Sequence, residues 1–165
     1  LSDIGDIPKT FDGQIELAQN LVEKYQYDKA RRLFEMMLGY ADHVPALHVG
    51  LGKCALEQGR SAEATSHYQD ALKRADKYGP AIFGLGKAYR QQGNKESALV
   101  WFKKYIELYP NSGAAPVARD TIARLEGRAP QPSATPAPAT PAPAGSELVK
   151  PSGPASSGGE LVQPR

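Results

Sequence analysis

A stretch of this sequence recurs at a fixed spacing, and the spacing limits the fold more than any other feature. Residues 49–59 read VGLGKCALEQG and residues 83–93 read FGLGKAYRQQG. The offset is 34, and Gly50/Gly84, Leu51/Leu85, Gly52/Gly86, Lys53/Lys87, Gln58/Gln92 and Gly59/Gly93 are identical across it. Further on, Ala64 matches Ala98, Tyr68 matches Phe102 and Ala71 aligns with Tyr105. Stepping back by the same offset finds a weaker copy in Leu17, Ala18, Leu21, Ala30, Phe34 and Met37. Three copies therefore span about 11–44, 45–78 and 79–112. A period of this length marks a stack of supersecondary units, none of which can bury its apolar face alone.

Each copy carries two amphipathic helical patterns. Apolar residues return at helical spacing in Leu17 and Leu21, in Leu47, Leu51 and Ala55, and in Ile82, Leu85 and Tyr89. The first helices are predicted near 12–25, 46–58 and 80–92, and the second near 28–41, 61–75 and 95–108. Gly59 and Gly93 follow a first helix, where a left-handed C-cap favours glycine. Ser61 and Asn94 suit the next N-cap, and Pro80 suits a first turn, where its missing N–H costs nothing. Ala18, Gly52 and Gly86 are expected to face Ala30, Ala64 and Ala98 within each pair, allowing close approach. Phe34, Tyr68 and Phe102 are expected to fill the space toward the neighbouring repeat. A seventh helix is predicted from Pro116 to about Glu126, with Val117, Ile122 and Leu125 as its apolar stripe and Gly127 as its stop. It would cap the open end of the stack.

A 34-residue helix–turn–helix of this kind resembles the tetratricopeptide repeat (TPR) family. The third copy carries the likeness most fully, in Leu85, Gly86, Tyr89, Ala98, Phe102, Tyr105 and Pro110. The second departs from it at Ala55 and Asp76, and the first at Gln14 and Asp42. The resemblance implies an all-α, right-handed α-solenoid of three helix pairs with a C-terminal capping helix. Residues 1–10 would be a flexible lead, 11–127 the repeat domain with its cap at 116–126, and 128–165 a disordered tail.

In that family the first helices line a concave face that holds peptide ligands. Carrying those groove positions over by the 34-residue register gives an apolar track of Ile15, Val49 and Phe83. One turn on lie Gln19, Lys53 and Lys87, and another turn on lie Val22, Leu56 and Arg90. The groove thus reads apolar on one edge and basic toward the C-terminal repeats. One subclass of the family grips a chaperone's C-terminal carboxylate with a Lys/Asn/Lys/Arg clamp. Here Ile15 and Val49 stand where the first clamp lysine belongs and the asparagine is missing, which disfavours a chaperone co-factor role.

Patterns that look like chemistry resolve into packing. Gly50–Leu51–Gly52–Lys53 and Gly84 to Lys87 lack the spacing of a phosphate loop, and Cys54 and Ala88 stand where Ser or Thr is needed. His43, His48 and His67 show no metal-ligand spacing, and the single Cys54 has no partner cysteine. His48 aligns with Ile82 and reads as a half-buried packing residue, and Trp101 and Tyr105 as inter-repeat aromatics. No catalytic residue, metal site or cofactor is expected, and the chain is not read as an enzyme.

Composition divides the chain. Every aromatic residue lies between Phe11 and Tyr109, whereas residues 129–165 hold nine of the 14 prolines. So little apolar side chain cannot offset the entropy of ordering, so disorder is expected there. Residues 130–144, PQPSATPAPATPAPA, suit an extended polyproline spacer. Beyond it a short motif occurs twice, as Glu147–Leu148–Val149–Lys150–Pro151 and Glu160–Leu161–Val162–Gln163–Pro164. Its acidic–apolar character complements the groove, and the spacer reaches roughly 60 Å. A contact between tail and groove, in cis or from another chain, is therefore expected.

The formal charge of +2 gives no basic surface for nucleic acid. No apolar run is long enough to span a bilayer. The chain opens Leu1–Ser2–Asp3 without Met, which points to a fragment or a processed product. Pro–Ala spacers favour a bacterial source. The location is expected to be cytoplasmic, or periplasmic if the chain belongs to an envelope protein. The reading that results is a non-catalytic scaffold or adaptor binding a short, acidic–apolar peptide or partner helix in the concave groove. The alternatives are a regulatory or assembly domain of a larger signalling or cell-envelope protein, and a self-association module.

Overall fold

The computed structural model describes residues 3–128. Among these the chain forms seven helices and no strand: α1 (Phe11–Glu23), α2 (Tyr27–Ala41), α3 (Pro45–Glu57), α4 (Ser61–Arg74), α5 (Gly79–Gln91), α6 (Lys95–Leu108) and α7 (Ala115–Leu125). Consecutive helices pack against one another, and α1 meets α3 and α3 meets α5. The first helices of the three repeats therefore lie side by side as one layer, and α2, α4 and α6 follow them in register. The tail motifs Glu147, Leu148, Val149 and Glu160, Leu161, Val162 lie outside the described residues.

The helix ends repeat as the helices do. Gly59, Gly93 and Gly127 have φ of +78°, +77° and +72°. The next residue closes a six-residue ring in each case. Arg60 N–H donates to the Ala55 carbonyl at 2.8 Å, Asn94 N–H to Tyr89 at 2.9 Å, and Arg128 N–H to Ala123 at 2.8 Å. This is the Schellman arrangement, which needs a left-handed residue just past the helix. The first repeat makes the same ring, from Gln26 N–H to the Leu21 carbonyl at 2.8 Å, but its left-handed residue is Tyr25, at φ +60°. A side chain there costs about 1–2 kcal/mol. Tyr25 is largely exposed, so little burial offsets that cost. Tyr25→Gly is expected to stabilise the fold by about 0.5–1 kcal/mol once glycine's greater unfolded-state freedom is subtracted. Urea unfolding would show it as a higher midpoint; a lower one would mean that the edge-on contact of Tyr25 with Tyr27 outweighs the strain.

The N-termini follow the expected chemistry with one exception. Asn94 caps α6, its Oδ1 accepting from Ser97 N–H at 3.0 Å, and Thr10 caps α1 through Gly13 N–H at 3.3 Å. Pro45, Pro80 and Pro116 sit in the first turns of α3, α5 and α7. Ser61, however, is already helical, and Arg60 holds the N-cap without a side-chain bond. The Schellman ring places the helix start one residue earlier than the serine alone implies.

The core is a file of aromatic rings laid on glycines. A methyl group on Gly50 would sit 2.4 Å from the Phe34 ring, and one on Gly84 would sit 2.5 Å from the Tyr68 ring. Phe34 and Tyr68 thus close the first and second repeats against the next. Gly52 and Gly86 are covered by Tyr68 and Phe102, at 2.7 and 2.9 Å for the same added atom, rather than by Ala64 and Ala98. Helical side chains lean toward the helix N-terminus, so the aromatic reaches back over the glycine while the alanine one turn earlier stays beneath it. Ala18, Ala30, Ala64 and Ala98 are all fully buried.

The two ends of the stack are closed. Ile4 and Ile7 pack on the cluster around Leu33 and Met37, and Arg32 pairs with Asp3 at 3.1 Å. At the other end Ala118, Ile122 and Leu125 pack on Phe102 and Tyr105. Val117, expected in that stripe, is 55% exposed. Residues 118, 122 and 125 lie three and four apart and share a face, whereas 117 falls one position off it. Lys103 ties α6 to the cap through Glu126 at 2.6 Å.

Candidate functional site

Side-by-side packing of α1, α3 and α5 leaves a cavity of about 470 Å³ along their shared face. Seven of the nine residues assigned to the groove line it: Ile15, Gln19, Val22, Val49, Lys53, Phe83 and Lys87. Leu56 and Arg90 line a second recess of about 400 Å³ with Glu57, Lys87 and Gln91. Lys87 belongs to both, so the two are neighbours along α5. Arg90 is exposed, whereas Leu56 is packed largely into the core.

The floor is set by the glycine–aromatic packing. Phe34 and Tyr68 line the cavity from below, each buried with its ring packed directly against Gly50 or Gly84. Phe83 stands on the wall, its ring edge-on to Phe102 at 5.5 Å and to Tyr105 at 5.2 Å. Such contacts fix its orientation before a ligand arrives. Ala46, Tyr78 and Pro80 also line the cavity, at the N-terminal ends of α3 and α5. The groove register does not reach them, because Ala46 and Pro80 sit in the first turns of their helices and Tyr78 at the N-cap of α5.

The charge is mixed. Lys53 is exposed and lines the cavity, while Lys87 is half-buried and lies 3.8 Å from Glu57. Glu23 also lines the main cavity. Lys53 is thus more exposed than Lys87, which faces the Glu57 carboxylate. Burial pushes the Tyr68 hydroxyl well above its ordinary range and the Cys54 thiol up to about 11, so both stay protonated near neutral pH. Cys54 is fully buried, as a small packing residue.

The second repeat brings together groups that the sequence keeps apart. His48 on α3 meets His67 and Asp70 on α4, and one ring nitrogen of each histidine and an Asp70 oxygen lie within 4.8 Å of one another. His48 is 6% exposed, more deeply buried than expected. Burial holds its imidazole below its ordinary pKa, and the Lys73 hydrogen bond holds the Asp70 carboxyl below its own. His43 is not part of the group. A spacing rule along the chain cannot find this cluster, because it forms across the turn between two helices.

Comparison with known proteins bears on the repeats. Residues 43–111 match the family model described as tetratricopeptide repeat, which covers the second and third copies. No curated protein sequence matches the chain. Among solved structures, the first TPR of Spaghetti (RPAP3) bound to the HSP90 peptide SRMEEVD is similar at TM-score 0.64 and 18% identity, over 69% of this chain and 88% of that one. The Yersinia enterocolitica type III secretion chaperone SycD, in complex with a peptide of the translocator YopD, is similar at TM-score 0.66 and 18% identity, over 72% and 94%. The Arabidopsis OM64 TPR domain is similar at TM-score 0.63 and 18% identity, over 70% and 93%. Identities this low speak for the fold alone. No helix among the described residues is long and apolar enough to cross a membrane.

Proposed function

We propose that this chain, whose residues 43–111 match the tetratricopeptide repeat family model, is a non-catalytic interaction scaffold that binds a short acidic–apolar peptide along α1, α3 and α5. The observation that carries the reading is the 470 Å³ cavity, lined by aromatic and aliphatic side chains together with Lys53 and Lys87. A peptide's apolar side chains would bury against Ile15, Val49 and Phe83, and a carboxylate one position away would meet Lys53, with Lys87 and Arg90 continuing the line. The groove supplies apolar area and cations, the features a peptide-binding surface uses. Two of the similar structures hold peptides, an HSP90 peptide in one and a YopD peptide in the other, which supports this use of the fold.

The chain carries sequences of the same chemistry in Glu147–Leu148–Val149 and Glu160–Leu161–Val162. Either copy would place a carboxylate beside two apolar side chains, in the order the groove presents their complements. The test is a fluorescence anisotropy titration of a labelled peptide with the sequence of residues 145–152. The chain used carries Leu148→Ser, Val149→Ser, Leu161→Ser and Val162→Ser, so that its own motifs do not compete. Saturable binding is expected, weakened at least tenfold when the peptide carries Leu148→Ser. Equal binding of that variant peptide would show that the apolar floor is not used.

A further inference from the structure

We propose that the second repeat carries a binding site for one divalent transition-metal ion of the zinc class, held by His48, His67 and Asp70. The donor set is two imidazoles and one carboxylate, which suits zinc and its neighbours rather than calcium or magnesium. Three protein ligands leave a coordination position open to water.

The helix pair delivers these groups in a suitable arrangement. His67 and Asp70 are three apart on α4 and share a face. His48 comes from the first turn of α3, across the pair. Their nearest donor atoms lie within 4.8 Å of one another. Zinc bonds such ligands at about 2.0–2.2 Å, so each donor needs to close on the ion by less than about an ångström. His67 and Asp70 are partly exposed, which gives the ion a way in and gives both side chains room to move.

A second observation points the same way. His48 Nδ1 is buried and has no hydrogen-bond partner. The other nitrogen, Nε2, lies 3.1 Å from the Asp42 carbonyl, and a carbonyl can only accept. Nε2 therefore carries the ring proton, and Nδ1 holds a lone pair that no group among the described residues satisfies. Buried polar atoms are rarely left in this state. An imidazole that donates through one nitrogen to a backbone carbonyl keeps the other available as a metal ligand. Packing does not require it: the matching residue of the third repeat is Ile82, fully buried in the same place.

The neighbouring charges are compatible with an ion. Lys73 holds Asp70 at 2.8 Å but is 73% exposed and free to swing away. Arg74 is tied to the Asp42 and Asp70 backbone carbonyls. Glu63 lies 3.7 Å from His67 Nε2 and adds negative charge beside the site, though Arg60 shares it at 2.8 Å.

The test is isothermal titration of zinc chloride into the full chain after treatment with a chelator. One ion per chain is expected, with a dissociation constant in the micromolar range or below. His48→Ile, which installs the residue of the third repeat, should abolish binding and leave the helical circular dichroism signal in place. His67→Gln and Asp70→Asn change partly exposed side chains and should each weaken binding at least tenfold. His43→Gln should leave affinity and stoichiometry unchanged. Absence of zinc binding by the unaltered chain would overturn the proposal, as would full retention of binding in His67→Gln and Asp70→Asn.

Discussion

Tyr68→Ala is expected to remove about 3–5 kcal/mol of stability, the range for deleting a buried aromatic ring. Its ring is buried and lies against glycines from two repeats, Gly52 on its own side and Gly84 on the next. Losing it opens a void at the junction of the second and third repeats, where backbone contact is already close and collapse is restricted. The same ring makes Gly84 intolerant of change. Gly84→Val would drive two extra methyl groups into a space where even the first lies 2.5 Å from Tyr68. Overpacking of this kind costs about 1–3 kcal/mol, against at most about 1 kcal/mol gained in helix propensity. The two effects should not add. In the Tyr68→Ala background the added side chain fills part of the void, so Gly84→Val should cost less there, or become stabilising. A double-mutant cycle in urea measures the difference, and strict additivity would show that ring and glycine do not form one unit.

Reversing two groove charges, Lys53→Glu with Lys87→Glu, is expected to weaken binding of the 145–152 peptide by roughly 10–100-fold. Each attractive pair of exposed charges contributes about 0.2–1 kcal/mol, and reversal replaces attraction by repulsion of similar size. Lys53 should account for the larger share, because Lys87 already faces Glu57. Reversal at 87 also sets two carboxylates beside each other, which costs some stability, so a complementary swap is the stronger measurement. A peptide carrying Glu147→Lys should bind the reversed groove better than the unaltered peptide does. No such recovery would mean that the lysines do not read the ligand's charge. Binding by the unaltered chain should also weaken as salt rises, since these pairs lie at the surface.

Much of the fold was legible in the 34-residue offset, because a solenoid repeats its contacts as well as its residues. Gly59 and Gly93 announced the helix ends, and Phe34 and Tyr68 announced the inter-repeat packing. What escaped needed geometry that a single repeat does not encode. Tyr25 takes the backbone conformation of Gly59 and Gly93 because the Schellman ring is imposed by the helix pair, whatever the residue. Tyr68, rather than Ala64, covers Gly52, because side-chain lean depends on three dimensions and not on register. Most of the residues assigned by register and the family resemblance line the cavity, but register did not find Tyr78 and Pro80 at the start of α5 or the counter-charge of Glu57. His48, His67 and Asp70 meet only once two antiparallel helices are laid together, so no motif spacing could have joined them.

The central claim is that the layer of first helices is a ligand-binding surface, and one measurement addresses it directly. The 145–152 peptide is titrated into the isotope-labelled chain with serine at 148, 149, 161 and 162, and backbone amide shifts are followed. Movement is expected to concentrate at Val49, Lys53, Phe83 and Lys87, with α4, α6 and α7 largely unchanged away from their contacts with the groove floor. Saturation without movement at those four residues, or movement confined to the outer helices, would contradict it.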